Sequence, residues 1–341
     1  MKKILLSIVA LCCTLVAGAQ NSSQQVSAIL QKGDVTTVYY GADALKSAYT
    51  EAADESVITL TSGQFNSPGD IKKSISIYGA GFENDATPGV QRSIINGVIN
   101  FLADANGNSL QNPRLEGVYV NNSIYIKQVT NLTIAKCQFS NLYVNGTDVV
   151  GVLVRQCYFG EFSGSNYKID GITLKNNYTT GRIMQITADS QVLFDHNILA
   201  YGGGDRYAHA CAFYTNNLIQ SQGWNGTGVA DNSYAENNAF LIGSIPTSVT
   251  SVNNWFGINI STFFSDGAAN ANYTTTRTFT LADPDTYSGT DGTPVGVTGG
   301  DYPWYKQPEI PYVKDLKATV NGTNLDVDYE AGVRSTNPPT E

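Results

Sequence analysis

Arg155, Lys175 and Asp195 stand 20 residues apart, and His196 follows the last of them. Two cations beside a carboxylate suit elimination on an acidic polysaccharide. A cation neutralises a uronate carboxylate, and a base then removes the acidified neighbouring proton. The same residues also fit a solvated column whose alternating charges help successive coils stack. His209, the other of the two histidines, has Asp189 at the same 20-residue spacing, which suits either an acid–base unit or a turn hydrogen bond. Among the 20 tyrosines and three tryptophans, Tyr178, Tyr207 and Trp224 are the candidates for stacking on sugar rings, with Tyr143 and Tyr201 beside them. Aromatic rings present the rigid amphipathic area that sugar faces need, though the same rings can stack on neighbouring coils.

The spacing has meaning because an eight-residue phrase returns on a fixed count. It begins at Leu132, Val152, Ile172, Val192, Ala212 and Ser233, a step of 20 residues four times and then 21. A period of this size means stacked structural units. Positions 1 and 3 of the phrase are mostly aliphatic or aromatic, the alternation of a strand with one buried face. Position 6 holds Cys137, Cys157, Asn177, Asn197, Asn217 and Asn238, and position 8 is again largely apolar, from Phe139 to Phe240. The parity change between positions 3 and 6 requires a sharp turn at positions 4 and 5. Asn suits a left-handed turn backbone, and a buried Asn must have its amide hydrogen-bonded. A column of Asn meets that need if each amide bonds the next coil about 4.8 Å away. Positions 4 and 5 then form two outward columns, with Arg155, Lys175 and Asp195 about 5 Å apart in one of them and His196 in the other.

Coils of about 20 residues with inward ladders of Asn and aliphatics predict an all-β solenoid, and the phrase resembles the right-handed parallel β-helix proteins of the pectate-lyase-like superfamily. The resemblance is specific for the fold and not for a reaction, and some β-helix lyases pair Lys and Arg from adjacent coils, as Arg155 and Lys175 would here. Leu193-Phe194-Asp195-His196 is similar to a pectate-lyase phrase but lacks its Trp, so no role is carried over. The Asn-Thr-Asp phrase, double Asp and His-Gly pair of the polygalacturonases do not occur. Calcium-dependent lyases cluster acids because calcium takes several oxygen ligands. Here Asp170, Asp189, Asp195 and Asp205 are scattered, and no metal site is predicted. The sequence names no cofactor.

Ahead of the coils, Lys2-Lys3, an apolar run from Ile4 to Val16 and the small exit Ala17-Gly18-Ala19 read as a bacterial secretory signal over residues 1–19. The apolar run is shorter than a membrane span needs, so no span is expected. The full chain has 20 Lys and Arg against 29 Asp and Glu; loss of Lys2 and Lys3 leaves 18 against 29, a net charge of −11. An acidic chain without a basic run is unsuited to nucleic acid. Cys137 and Cys157 have backbone spacing within disulfide range but read better as buried thiols in the ladder.

Ala44, Leu45, Ala48, Tyr49 and Ala52 share one helical face, a short helix placed to hide the open end of the first coil. The β-helix is expected over residues 20–306, with 290–304 as its closing coil, and 307–341 as a linker with a small β tail or a disordered segment. These readings converge on an exported β-helix protein, periplasmic, cell-surface or extracellular, that binds or processes polysaccharide. Lyase chemistry is the enzymatic form of that reading, and the alternative is a non-catalytic cell-surface or adhesion-type structural module.

Overall fold

The computed structural model describes residues 26–83, 91–201, 212–220, 233–304, 311–321 and 324–333. The chain forms a parallel β-solenoid with coils of about 20 residues, as the repeat predicts. One face stacks the strands of phrase positions 2–4, from Ser76–Tyr78 through Arg114–Glu116, Thr133–Ala135, Asp170–Lys175, Gln191–Asp195 and Phe213–Thr215 to Tyr234–Glu236 and Thr250–Val252, in parallel register. A second face is a nine-stranded sheet of short strands at positions 7 and 8, such as Tyr158–Phe159, Tyr178–Thr179 and Ile198–Leu199. A third face includes Gly69–Ile71, Ile99–Phe101, Phe162–Ser163 and Ile183–Met184. It joins the first because Ile124–Thr130 and Leu142–Arg155 run continuously round the corner.

The corner between the first two faces is a single left-handed residue at position 5. Lys136, Gln156, Asn176, His196, Asn216, Asn237 and Asn253 all have φ between 48° and 58°. Outside Gly this conformation costs about 1–2 kcal/mol, least for Asn. The turn lies where the parity change requires it, but the left-handed residue precedes the inward Asn instead of being it.

The next residue turns inward and closes the hydrogen-bond account. Each of Asn177, Asn197, Asn217 and Asn238 donates its side-chain amide to the Oδ1 of the following ladder Asn at 2.9–3.0 Å and to a carbonyl of the preceding coil at 2.8–2.9 Å. Its backbone N–H reaches the same Oδ1 at 2.8–2.9 Å, and Asn254 ends the column. Cys137 and Cys157 continue it as free buried thiols, donating to the Ala135 and Arg155 carbonyls at 3.1 and 3.2 Å. Burial pushes the Cys157 thiol well above its ordinary range.

At the N-terminal end, Ser27–Lys32 pairs antiparallel with both Val35–Tyr40 and Val57–Leu60. The segment before Asp34 therefore contributes a strand. The helix Ala44–Glu51 buries Ala44, Leu45 and Ala48 on the solenoid. Lys73 Nζ donates to the Tyr49, Thr50 and Ala52 carbonyls at 2.7–2.9 Å, satisfying the helix C-terminus with a cation. Strands Pro311–Asn321 and Asn324–Val333 pair as an antiparallel hairpin.

Trp255 and Phe256 still stack on Ala239 and Phe240 as a last rung, but residues 257–304 do not add a closing coil. They fold back as an outer layer on the second sheet, where Tyr178, Ile198, Leu218 and Ala239 pack against Ile260, Phe263, Phe279 and Leu281. Position 7 points away from the solenoid interior, yet in these coils it is apolar, and burial of that stripe holds the layer in place.

Asn197→Ala should lower stability by about 2–4 kcal/mol, because it orphans the buried Asn177 N–H and the Leu174 carbonyl together. The denaturant midpoint reads this out. A loss no larger than that of a surface Asn→Ala change would show that the ladder adds nothing.

Candidate functional site

The end of the outer layer forms a strap, residues 288–304, laid over the column of left-handed turns. It runs against the order of the coils. Asn237 donates to the Ser288 carbonyl at 3.1 Å, and Asn216 donates to Thr290 Oγ1 and receives the Thr290 N–H. Further along, Asn176 donates to the Val297 and Gly299 carbonyls at 3.1 and 2.6 Å, and Gln156 to the Pro303 carbonyl at 2.6 Å. The columns at positions 4 and 5, expected to be outward and exposed, are therefore largely covered by the chain's own C-terminal segment.

The predicted residues do come together there. Arg155 is buried with its guanidinium 4.8 Å over the Tyr302 ring, and it donates to Gln156 Oε1 at 2.6 Å. Lys175 Nζ lies 3.4 Å from Asp195 Oδ2 and 2.7 Å from Asp301 Oδ2. His196, 1% exposed, has Nδ1 3.0 Å from Asp195 Oδ1 and Nε2 3.1 Å from Thr293 Oγ1, with Asp291 Oδ1 at 3.5 Å. Thr215 Oγ1 and Asn216 Nδ2 each donate to Asp195 Oδ1 at 2.9 Å. Strap contact with the ring depends on glycine: a Cβ on Gly300, whose φ is +72°, would stand 2.9 Å from His196 Nδ1, and one on Gly299 would collide with the Pro294 carbonyl oxygen.

The electrostatics are those of a closed network. Burial alone would raise the Asp195 carboxyl, but the His196 hydrogen bond and charge, with the Thr215 and Asn216 donors, hold it down to about 2. Burial would lower the Lys175 ammonium, yet the hydrogen bond to Asp301 and the charge of Asp195 raise it. Asp291 is pulled below its ordinary value against its burial, by the Thr293 N–H and hydroxyl and by His196.

The aromatic candidates divide. Tyr178 is 1% exposed under the outer layer, where its hydroxyl donates to the Ala271 carbonyl at 2.6 Å and its ring meets Tyr273 and Phe279. It is a packing residue with no face open to a sugar, because position 7 is an apolar docking stripe. Tyr207 and Trp224, like His209 and the signal segment, lie outside the described residues. Asp301, Asp291, Thr293 and Tyr302, which complete the network, escape the repeat pattern because the strap has no repeat. The signal that points to them is the apolar position 7 at Tyr178, Ile198, Leu218 and Ala239, which demands a cover. Among the described residues no group of three or more His, Cys, Asp or Glu is placed to hold a metal ion, and no helix is long and apolar enough to cross a membrane. No protein-family model, curated protein or solved structure matches the chain.

Because the folded pKa of Asp195 lies below its ordinary 3.8, its contribution to stability is present above that value and is lost as pH falls toward about 2. The shift corresponds to about 2 kcal/mol. Urea midpoints from pH 5 down to pH 2 should fall less steeply in Asp195→Asn than in the wild type, with Asp291 supplying part of the remaining slope. Parallel slopes in the two proteins would rule out this role for Asp195.

Proposed function

We propose that the chain is an exported, non-catalytic β-helix module of the pectate-lyase-like type, serving as a stiff cell-surface or adhesion element. The observation that carries this reading is the position of Arg155, Lys175, Asp195 and His196 beneath residues 288–304. A catalytic base must come within about 3 Å of the proton it removes. Here Asp195 is committed to His196, Thr215, Asn216 and Lys175, and Lys175 has Asp301 where a substrate carboxylate would bind. Charges so matched serve to fix the strap. The signal-like residues 1–19 and the acidic, basic-poor composition support export without a nucleic-acid partner.

A second reading, carbohydrate binding without catalysis, is favoured by a different surface. Phe213, 50% exposed, stands beside Tyr234 on the next coil with ring centroids 6.2 Å apart, and the Tyr234 hydroxyl donates to Glu236 at 2.8 Å. Two neighbouring rings with a carboxylate at their edge suit a pyranose face and its hydroxyls.

An ultraviolet assay for unsaturated uronate release from pectate, alginate and glycosaminoglycans, with and without calcium, should give no product, while Lys175→Ala lowers the melting temperature. Release that disappears in a folded Lys175→Ala protein would overturn the non-catalytic reading. Glycan-array binding abolished by Phe213→Ala would establish the second reading, and no binding by the wild type would remove it.

A further inference from the structure

The first face does not end at its first coil. Ser27–Lys32 extends it antiparallel from Val57–Leu60, and Val35–Tyr40 extends it once more. Val35–Tyr40 pairs with Ser27–Lys32 and with no other described strand, so among the described residues it is a terminal edge of the long sheet. Its sequence, Val-Thr-Thr-Val-Tyr-Tyr, carries no charge and no proline. Val35 is 65% exposed and Tyr40 51%. Proteins that stay monomeric normally blunt such an edge with charge, proline, a bulge or a cover.

The hydrogen-bond parity of this edge is fixed. Gly41 N–H donates to the Val26 carbonyl at 2.8 Å, and on the far side the Ser27 carbonyl accepts the Thr61 N–H at 3.0 Å while the Ser27 N–H reaches Thr61 Oγ1 at 2.9 Å. Alternation along an antiparallel ladder then turns the backbone groups of Val35, Thr37 and Tyr39 toward Ser27–Lys32, and those of Thr36, Val38 and Tyr40 outward. Outward groups on alternate residues allow a two-fold pairing of the strand with itself: Val38 opposite Val38 on the axis and Thr36 opposite Tyr40 on either side. That register satisfies every outward N–H and C=O of Thr36, Val38 and Tyr40, sets β-branched residues against each other and against an aromatic ring, and opposes no like charges. The two strands of the hairpin fit less well. Pro311–Asn321 carries Lys314, Asp315 and Lys317, and Asn324–Val333 carries Asp326, Asp328 and Glu330.

We propose that Val35–Tyr40 is a homodimerisation edge, through which two copies of this chain join head to head in antiparallel register about Val38, making one continuous sheet. The contact is narrow, so the dimer is reversible and concentration-dependent. This inference does not depend on whether the solenoid is catalytic.

The test is sedimentation or light scattering of the full chain over a dilution series. The wild type should pass from dimer to monomer on dilution. Val38→Lys and Val38→Glu should each be monomeric, because like charges meet on the axis, and an equimolar mixture of the two should recover the dimer. Thr36→Pro, at an exposed position whose N–H points outward, should weaken association while leaving the pairing with Ser27–Lys32 intact. That variant decides the matter if the half-buried Val38 substitutions fail to fold. A wild type that is monomeric throughout overturns the proposal, as does a dimer indifferent to Thr36→Pro. Folded Val38→Lys and Val38→Glu proteins that do not associate when mixed overturn it equally.

Discussion

The structure depends on the column of buried side-chain amides. A coil that turns sharply between two faces leaves backbone donors and carbonyls inside the solenoid with no water to satisfy them. Each ladder Asn answers this on both sides, receiving the backbone N–H of the coil before it and donating to a carbonyl there and to the Asn ahead. One amide thus fixes three chain segments in register, and a one-residue slip would strand all of them. That is why the corner residue tolerates a left-handed backbone even as Gln156 and His196, where Asn would be easier. The local cost of about 1–2 kcal/mol is set against several hydrogen bonds per coil, each worth about 1 kcal/mol net.

With the register fixed, whatever occupies a given phrase position becomes a straight line on the surface. Position 7 makes an apolar line at Tyr178, Ile198, Leu218 and Ala239, and the chain covers it with its own residues 257–304. Covering that line carries the strap onto the neighbouring lines at positions 4 and 5, where the charged residues sit. Burial of Arg155, Asp195 and His196 thus follows from hydrophobic docking two and three residues further along the phrase. The charges had to be matched because the apolar layer brought chain over them.

This division explains what is legible in the sequence. Coil length, turn position and the inward Asn column follow from local periodicity, which each coil repeats, so the sequence states them several times over. The capping helix is legible for a different reason, since its own apolar face betrays it. The hairpin strand before Gly33 and the strap are stated once each and have no period. The strap's partners are distant in sequence, 126 residues for Lys175 and Asp301 and 97 for His196 and Thr293. The residues nominated as a site do cluster, since their 20-residue spacing is a geometric fact. Their exposure could not be read from spacing, because it depends on the non-repeating segment above them.

The ionic network under the strap should be understood as a device of register more than of strength. Taking Lys175 and the Asp195 carboxylate part-way out of water costs several kcal/mol, and their mutual attraction does little more than offset it, so the apolar layer supplies the net stabilisation. What the charges add is discrimination between positions. Asp291 and Asp301 are ten residues apart on the strap, and they meet His196 and Lys175, which lie on adjacent coils. Sliding the strap one coil forward would carry Asp301 from Lys175 to Asp195 and Asp291 to the Thr215–Asn216 coil, which has no cation, and sliding it one coil back would take Tyr302 off Arg155. Apolar contacts alone would allow such a slide, since Ile198 and Leu218 offer similar surfaces one coil apart. A smooth hydrophobic line repeated every coil needs a polar key to choose one alignment, and this column of charges supplies it.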